Sequence, residues 1–123
     1  MILLEEVLSI HKILVQQFGG IQGVRDQAAL ESALARPFAT FDGVDLYPSP
    51  QAKAAALIES ILINHPFLDG NKRTGYTLMR LLLLNAQTDI KANQDEKYDS
   101  VIKTAAGQMK YEEIQFWLEN HQP

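Results

Sequence analysis

Cysteine is absent from the 123 residues, which excludes a disulfide framework and a thiolate metal site and fits a reducing compartment. Long apolar runs are also missing, because the four leucines at 81–84 belong to a run far too short to span a bilayer. Residues 1–6 lack the basic region of a signal peptide and include two acids. We therefore expect a cytoplasmic protein that needs no membrane.

Basic charge is scarce as well. The formal net charge is −4, which argues against broad binding to nucleic acid through a basic surface, so a protein target is the more natural expectation. Apolar residues make up 46% and charged residues 21%, values typical of a globular protein. The length predicts a single domain over residues 1–123, and no repeat or linker divides it.

One polar segment, residues 65–75 with the sequence HPFLDGNKRTG, lies between two apolar segments. Pro66 disfavours helical geometry at His65, so a helix over residues 50–64 is expected to end there. A second helix is expected over 71–86. Because its residues are apolar on nearly all sides, we expect that helix in the middle of the domain.

The start of the second helix has the properties of a phosphate site. Unpaired N–H groups of its first turn, the positive end of the helix dipole, Lys72 and Arg73 are expected to face one volume. Gly70 lets the backbone approach a ligand closely. Arg73 can clamp phosphate oxygens with two bonds, and Lys72 acts as a point charge. Asn71 can donate to a phosphate oxygen or help to orient it.

The same segment contains a candidate base and a candidate metal ligand. The imidazole of His65 can take a proton from a hydroxyl near neutral pH, and Asp69 is a hard oxygen ligand suited to Mg²⁺. Together these groups are what phosphoryl or nucleotidyl transfer requires. The alternative is a simple turn between two helices, because Pro, Gly, Asn and Asp are the usual turn formers.

Residues 65–73 resemble the signature of the Fic/Doc superfamily, and specifically its Doc branch, the "death on curing" toxins of toxin-antitoxin modules. Further stretches resemble the Doc pattern in order and spacing: 18–20, 23–26, 30–37 and 47–48. The similarity covers most of the chain. It implies the Fic/Doc fold, which is a helical bundle with a flap beside the active site.

Two positions depart from the Fic proteins that transfer AMP, since Lys72 stands where those proteins have a second Gly and Tyr76 where they have a final Arg. Doc proteins share the Lys, and in that branch a reversed nucleotide presents its γ-phosphate. The resemblance therefore implies a kinase that uses ATP and Mg²⁺ to phosphorylate a threonine of elongation factor Tu, which blocks translation.

The resemblance also implies roles for individual residues. His65, Asp69 and Arg73 would be catalytic, Asp69 would hold Mg²⁺, and the phosphates would be bound by Gly70, Asn71, Lys72 and Arg73. No inhibitory Ser/Thr-x-x-x-Glu-Gly/Asn motif of the Fic type occurs, so inhibition of the activity is expected from an antitoxin protein whose C-terminal helix lies in a groove near the site. The sequence does not identify that groove.

Two other functions remain open at this point. In the first, the protein transfers AMP or another nucleotide to a protein hydroxyl, as the wider superfamily allows. In the second, it is a binding module without catalysis, whose phosphate loop holds a partner protein. Labelled donors distinguish the first alternative from a kinase, and replacement of His65 distinguishes the second.

The first third of the chain predicts two helices, over 3–18 and from an Asp26 N-cap to Arg36. His11 lies on the apolar stripe of the first helix, and we interpret it as a hydrogen-bonded core histidine outside the site. Arg25 is interpreted as part of a local ion pair that fixes its loop, and the alternative is a role in steering phosphate.

Residues 37–50 are rich in proline and predict no helix. Their Asp42-Gly43 step favours a short hairpin. By the resemblance this is the flap, so Phe41, Asp42, Gly43 and Val44 are predicted to dock the target chain. The alternative is a packed Ω-type connector.

The last third predicts two further helices. In the first, from Lys97 or Tyr98 to Ala106, the residues expected to face inward are Tyr98, Val101, Ile102 and Ala105. In the final helix, the residues expected over the core are Ile114, Trp117 and Leu118. His121 is expected to be solvated. The predicted fold is an all-α, compact bundle of about six helices with a flap or hairpin at 37–50.

Overall fold

A computed structural model describes residues 1–123. The helices are α1 (Leu4–Phe18), α2 (Gln27–Ala35), α3 (Pro50–Asn64), α4 (Asn71–Asn85), α5 (Gln94–Ala105) and α6 (Tyr111–Glu119). Between α2 and α3 lie a 3₁₀ turn (Arg36–Phe38) and an antiparallel hairpin of β1 (Thr40–Phe41) and β2 (Val44–Asp45), in which Thr40 pairs with Asp45 and Phe41 with Val44. The prediction of an all-α fold with a hairpin in residues 37–50 is confirmed.

Side-chain caps explain where several helices begin. Asp26 accepts a hydrogen bond from the N–H of Ala29 at 3.0 Å, which confirms it as the N-cap of α2. The start of α5 was predicted too late, at Lys97 or Tyr98, because Asn93 and Glu96 form a reciprocal capping box that starts the helix at Gln94. The helix-free prediction for 37–50 is wrong for one turn, since Pro37 is tolerated inside the 3₁₀ segment.

The central helix is α3, ten of whose 15 residues are buried. It packs against α2, α4, α5 and α6, and its Ala54–Ala56 run lets these neighbours approach closely. The prediction that α4 lies in the middle is wrong, because Leu81 and Leu84 remain 39% and 43% exposed. An apolar surface on all sides of a helix does not require neighbours on all sides.

The inward faces of the last two helices were predicted with mixed success. Ile114 and Leu118 are buried and Trp117 is half-buried, as expected. The inward prediction is wrong for Tyr98 and Ile102, which are 61% and 40% exposed, and Thr104 is buried on α5 instead. None of the helices combines the length and apolar character needed to cross a membrane.

His121 is not a solvated tail residue. Its ring stacks on Trp117 with a centroid distance of 4.0 Å, and its Nδ1–H donates to the Trp117 carbonyl at 2.6 Å. Its own carbonyl accepts the N–H of Lys91 at 2.6 Å. The prediction failed because the partners come from α6 and the α4–α5 link, which cannot be inferred from the polar end of a chain.

Candidate active site

The segment between α3 and α4 begins with a sharp change of direction at His65. This residue caps α3 in a left-handed conformation, with φ 47° and ψ 61°, since the following Pro66 disfavours the right-handed helical region. Its side chain is exposed. The helix therefore ends so that the imidazole stands beyond the last turn, free of contacts that would hold it in the core.

Arg25 completes the end of α3. Its Nε donates to the carbonyl of His65 at 2.7 Å, and its Nη2 donates to the carbonyl of Asn64. These carbonyls lie beyond the reach of donors within the helix, so a guanidinium is a suitable partner. The prediction that Arg25 forms a local ion pair is wrong, because its partners are backbone carbonyls of a segment 40 residues away.

Residues 20–26 run beside the segment and hold its backbone. Val24 and Phe67 form an isolated antiparallel bridge. The carbonyl of Pro66 accepts the N–H groups of Arg25 and Asp26 at 2.7 and 3.0 Å, and the N–H of Leu68 donates to Gly23 at 3.1 Å. The backbone of residues 66–68, which leads into α4, is thus hydrogen-bonded to residues 23–26 in the manner of a short strand.

Helix α4 begins with unsatisfied donors. Its N-cap is Gly70, in a left-handed conformation with φ 75° that a glycine adopts at no steric cost. No side chain caps the helix, and the N–H groups of Asn71, Lys72 and Arg73 have no protein acceptor. Three donors and the positive end of the helix dipole therefore face outward, as an anion site requires.

The side chains of the first turn differ in their freedom. Asn71 braces the loop, since its Oδ1 accepts the N–H of Phe67 and its Nδ2 donates to the Phe67 carbonyl, both at 3.0 Å. No ion pair in the chain includes Lys72 or Arg73. The guanidinium of Arg73 lies 4.1 Å above the centre of the Phe18 ring. Two unpaired cations are thus available at this helix start.

Asp69 is the carboxylate of the segment. Its Oδ2 accepts the N–H of Ile21 at 3.0 Å, and its Oδ1 has no protein partner. The chain has no group of three or more His, Cys, Asp or Glu side chains that could hold a metal ion by themselves. One oriented carboxylate beside a candidate phosphate site is compatible with Mg²⁺, which usually keeps its waters and takes further ligands from substrate phosphates.

These side chains line one groove of about 1010 Å³. Each residue that the sequence singled out between 65 and 73 borders it: His65, Asp69, Gly70, Asn71, Lys72 and Arg73. The apolar side of the groove is formed by Leu14, Phe18, Tyr98, Val101 and Ile102. Anionic and apolar groups of a ligand can therefore be bound side by side.

Tyr76 also borders the groove, one turn beyond Lys72 on α4. Burial raises the pKa of its hydroxyl above the ordinary 10.0, although nearby Arg80 opposes the shift. Tyr76 is therefore a neutral hydrogen-bonding group at the position where the Fic pattern has a cationic Arg.

The hairpin does not line this groove. Its turn residues Asp42 and Gly43 have φ values of 55° and 78°, which match the I′ turn favoured in tight hairpins. Phe41 and Val44 are 75% and 68% exposed, so this edge is open to a partner. Its docking role stays a prediction.

Two side chains hold the base of the hairpin. Lys53 on α3 donates to the carbonyl of Tyr47 and to Asp45 at 3.4 Å. Arg36 donates from Nε to the Tyr47 hydroxyl at 3.0 Å and forms an ion pair with Glu59 at 2.9 Å. Burial by itself would lower the pKa of Arg36, but the bonds to Tyr47 and Glu59 outweigh it, so the pKa is raised.

Sequence reasoning left three residues outside the site that contact it. His11 is the buried, hydrogen-bonded histidine that was predicted, but its partner is the carbonyl of Asp69, at 2.7 Å. Arg25 holds His65, and Phe18 lies under Arg73. The signals in the sequence were the place of His11 and Phe18 on one helical stripe, which is equally typical of core residues, and the resemblance of residues 18–20 and 23–26 to the Doc pattern.

Two comparisons with known proteins bear on the family of this chain. Residues 2–83 match the model of the Fic/DOC family. A protein of Mycolicibacterium smegmatis (strain ATCC 700084 / mc(2)155) named Toxin Doc is 50% identical over 72 residues, which are 58% of this chain and 53% of that protein. The match thus spans about half the length of this relative. The family match includes the whole of the 65–73 segment, and the chain belongs to the Fic/DOC family, with its similarity in the Doc branch.

Proposed function

We propose that the protein is a kinase that transfers the γ-phosphate of ATP to a hydroxyl of a protein. The observation that carries this proposal is the start of α4, where three unpaired N–H groups, Lys72 and Arg73 border the same groove as His65 and Asp69. Backbone donors and cations at a helix N-terminus suit phosphate groups whose charge spreads in the transition state.

In the proposed reaction a threonine oxygen attacks the γ-phosphorus while its proton passes to the imidazole of His65. The new bond joins that oxygen to phosphorus, and the bond to the bridging oxygen breaks, so that ADP leaves with the electron pair. Lys72, Arg73 and the free N–H groups hold the phosphate oxygens. Bound to Asp69, Mg²⁺ would neutralise charge on the phosphates.

Lys72 and Tyr76 support transfer of phosphate over transfer of AMP. A Lys side chain fills space that the Gly of AMP-transferring Fic proteins leaves open. Tyr76 offers a neutral hydroxyl where those proteins have a guanidinium, so one cationic contact with the triphosphate is lost. A nucleotide bound as in the AMP transferases would therefore meet a different set of charges here.

The test uses elongation factor Tu, the target implied by the Doc resemblance. The protein is incubated with that factor, Mg²⁺ and ATP labelled either at the α or at the γ position. We expect only the γ label on the target. Transfer of the α label would replace the kinase proposal by AMP transfer, and no transfer of either label would contradict this target or this donor.

We further propose that the protein is the toxin of a toxin-antitoxin module. The name of the relative, Toxin Doc, supports this role. The apolar side of the groove offers a place for the amphipathic C-terminal helix of an antitoxin, because the exposed side chains of Tyr98 and Ile102 on α5 and of Phe18 on α1 all line it. A helix in this position would cover the phosphate site.

The antitoxin proposal is tested by the variant Ile102→Asp. A charge in the apolar side of the groove is expected to abolish neutralisation by a co-expressed antitoxin while growth arrest by the toxin persists. If the antitoxin neutralises Ile102→Asp as completely as the unchanged protein, the antitoxin helix binds outside this groove.

A further inference from the structure

Helix α1 contacts the segment before α4 through one of its faces. His11, Val15 and Phe18 are spaced by four and three residues, so they lie on the same side of the helix. The ring of His11 stacks on Phe67, a Cβ added to Gly70 would lie 3.4 Å from the Val15 side chain, and Phe18 lies under Arg73. Phe67 and Gly70 of the segment, and Arg73 in the first turn of α4, therefore lie against this face of α1.

His11 is the polar member of this face. It is 3% exposed, and its ring is nearly parallel to that of Phe67, with a centroid distance of 3.9 Å and an angle of 9°. Its Nε2 lies 2.7 Å from the carbonyl oxygen of Asp69. A carbonyl can only accept, so Nε2 carries a hydrogen and donates it. The stacked ring aims this donor in a single direction.

The bond acts on the peptide group that joins Asp69 to Gly70. In a trans peptide the N–H points opposite to the C=O. Because the Asp69 carbonyl points at α1, the N–H of Gly70 points away from α1, and it has no protein acceptor. It therefore adds a fourth free donor ahead of the three at the start of α4.

We propose that His11 is a positioning residue for the anion site. By holding the carbonyl of Asp69 it keeps the N–H of Gly70 directed away from α1, in line with the free donors of the first turn of α4. This inference rests on the proposed function, in which those donors bind the phosphates of ATP. His11 itself contacts no substrate, since it lies behind the peptide group that it holds.

Two substitutions separate the donor from the ring. His11→Phe keeps the stack on Phe67 and removes the donor, whereas His11→Gln places an amide N–H near the position of Nε2 and removes the ring. We expect the Kd of MgATP, measured by calorimetry, to rise by about tenfold in His11→Phe and by less than about threefold in His11→Gln. Rescue by Gln would identify the hydrogen bond as the cause.

Val15→Ala is the matched control, because Val15 is buried on the same face and lies beside Gly70, where it makes no side-chain hydrogen bond. It is expected to lower the melting temperature but to leave the Kd of MgATP unchanged. His11→Leu also lacks the donor and is measured together with His11→Phe, so that the test can still be made if one of the two variants does not fold. Equal weakening by Val15→Ala and His11→Phe would overturn the proposal, since general loosening would then explain both.

A second readout needs no nucleotide. The NMR order parameter of the Gly70 amide is expected to fall below the rigid value of about 0.85 in His11→Phe. In His11→Gln it is expected to remain at about 0.85. If the unchanged protein fails to bind MgATP, the proposed function is wrong, and the Gly70 amide still decides whether His11 holds this peptide. An unchanged Gly70 amide in His11→Phe would refute the role of His11.

Discussion

The segment before α4 and the hairpin are held in opposite ways. Residues 64–71 are bonded to α1, to the 20–26 loop and to Arg25, and their backbone is paired over several residues. The hairpin at 40–45 is held mainly at its base, by Lys53 and by the contact of Arg36 with Tyr47, while its tip is exposed. The proposed chemical half of the site is thus braced, and the proposed docking half is largely free.

The difference follows from what each half would have to do. A reacting group must be held in a near-attack geometry, and a displacement of about 1 Å can lower a rate by roughly a hundredfold. A surface that docks an extended chain gains its energy from exposed apolar contacts and tolerates small adjustments. Substitutions in the braced half should therefore change kcat, and substitutions in the hairpin should change KM for the target.

The largest effect is expected from His65→Asn. Asparagine tolerates the left-handed conformation of this position, so the fold is kept while the proposed base is lost. We expect kcat for transfer of the γ label to fall by about 10²–10⁴-fold, with the Kd of MgATP unchanged. The measurements are single-turnover transfer and calorimetry. Full activity of this variant would remove His65 from the chemistry.

Arg25→Met tests whether the brace matters for the rate. The variant leaves the carbonyls of Asn64 and His65 without their donor, and we expect kcat to fall by about tenfold and the melting temperature to fall by a few degrees. Arg25→Lys is the control, since it can restore one of the two bonds and should recover part of the rate. A change confined to KM for the target would contradict the expectation that substitutions in the braced half of the site change kcat.

The hairpin is tested by Phe41→Ser combined with Val44→Ser. Both side chains are largely exposed, so stability should hardly change, while KM for the protein target is expected to rise by about fivefold at constant kcat and constant Kd of MgATP. Ile13→Ser removes a 52% exposed apolar side chain from α1 and serves as the control. An unaltered KM would favour the interpretation of the hairpin as a connector.

The smallest effect is expected from Phe18→Leu. Loss of the aromatic face under Arg73 should weaken binding of MgATP by about two- to fivefold, because a cation–π contact at an exposed site is modest. Phe18→Tyr keeps the face and should bind as the unchanged protein does. Equal affinity of the Leu and Tyr variants would show that Arg73 needs no support from this ring.

Most of the secondary structure was predictable because its signals are local. Pro66 and Gly70 mark the break between α3 and α4, Asp26 caps α2, and the Asp42-Gly43 step turns the hairpin. The roles given to residues 65–73 came from residue chemistry and from the resemblance, and they remain predictions. What the structure adds is that these residues border one groove.

Several of the errors concern tertiary contacts, which leave no local signal in the sequence. The late start predicted for α5 is a different case, because the capping box of Asn93 and Glu96 is local. Tyr98 and Ile102 fit an inward stripe but border an open groove, and His121 looked like a solvated end but its carbonyl accepts the N–H of Lys91 in the link between α4 and α5. Arg25 suggested an ion pair but binds the end of α3.

The sequence by itself determined most of the helices, the Asp26 cap, the hairpin turn and the set of reactive groups, because each depends on neighbours within a few residues. Only the tertiary structure decided that α3 is central, that α1 supports the segment before α4 through His11, and that Arg25 holds the end of α3. The bonds of His11 and Arg25 join residues 58 and 40 positions apart, and they form only when the core brings the helices together.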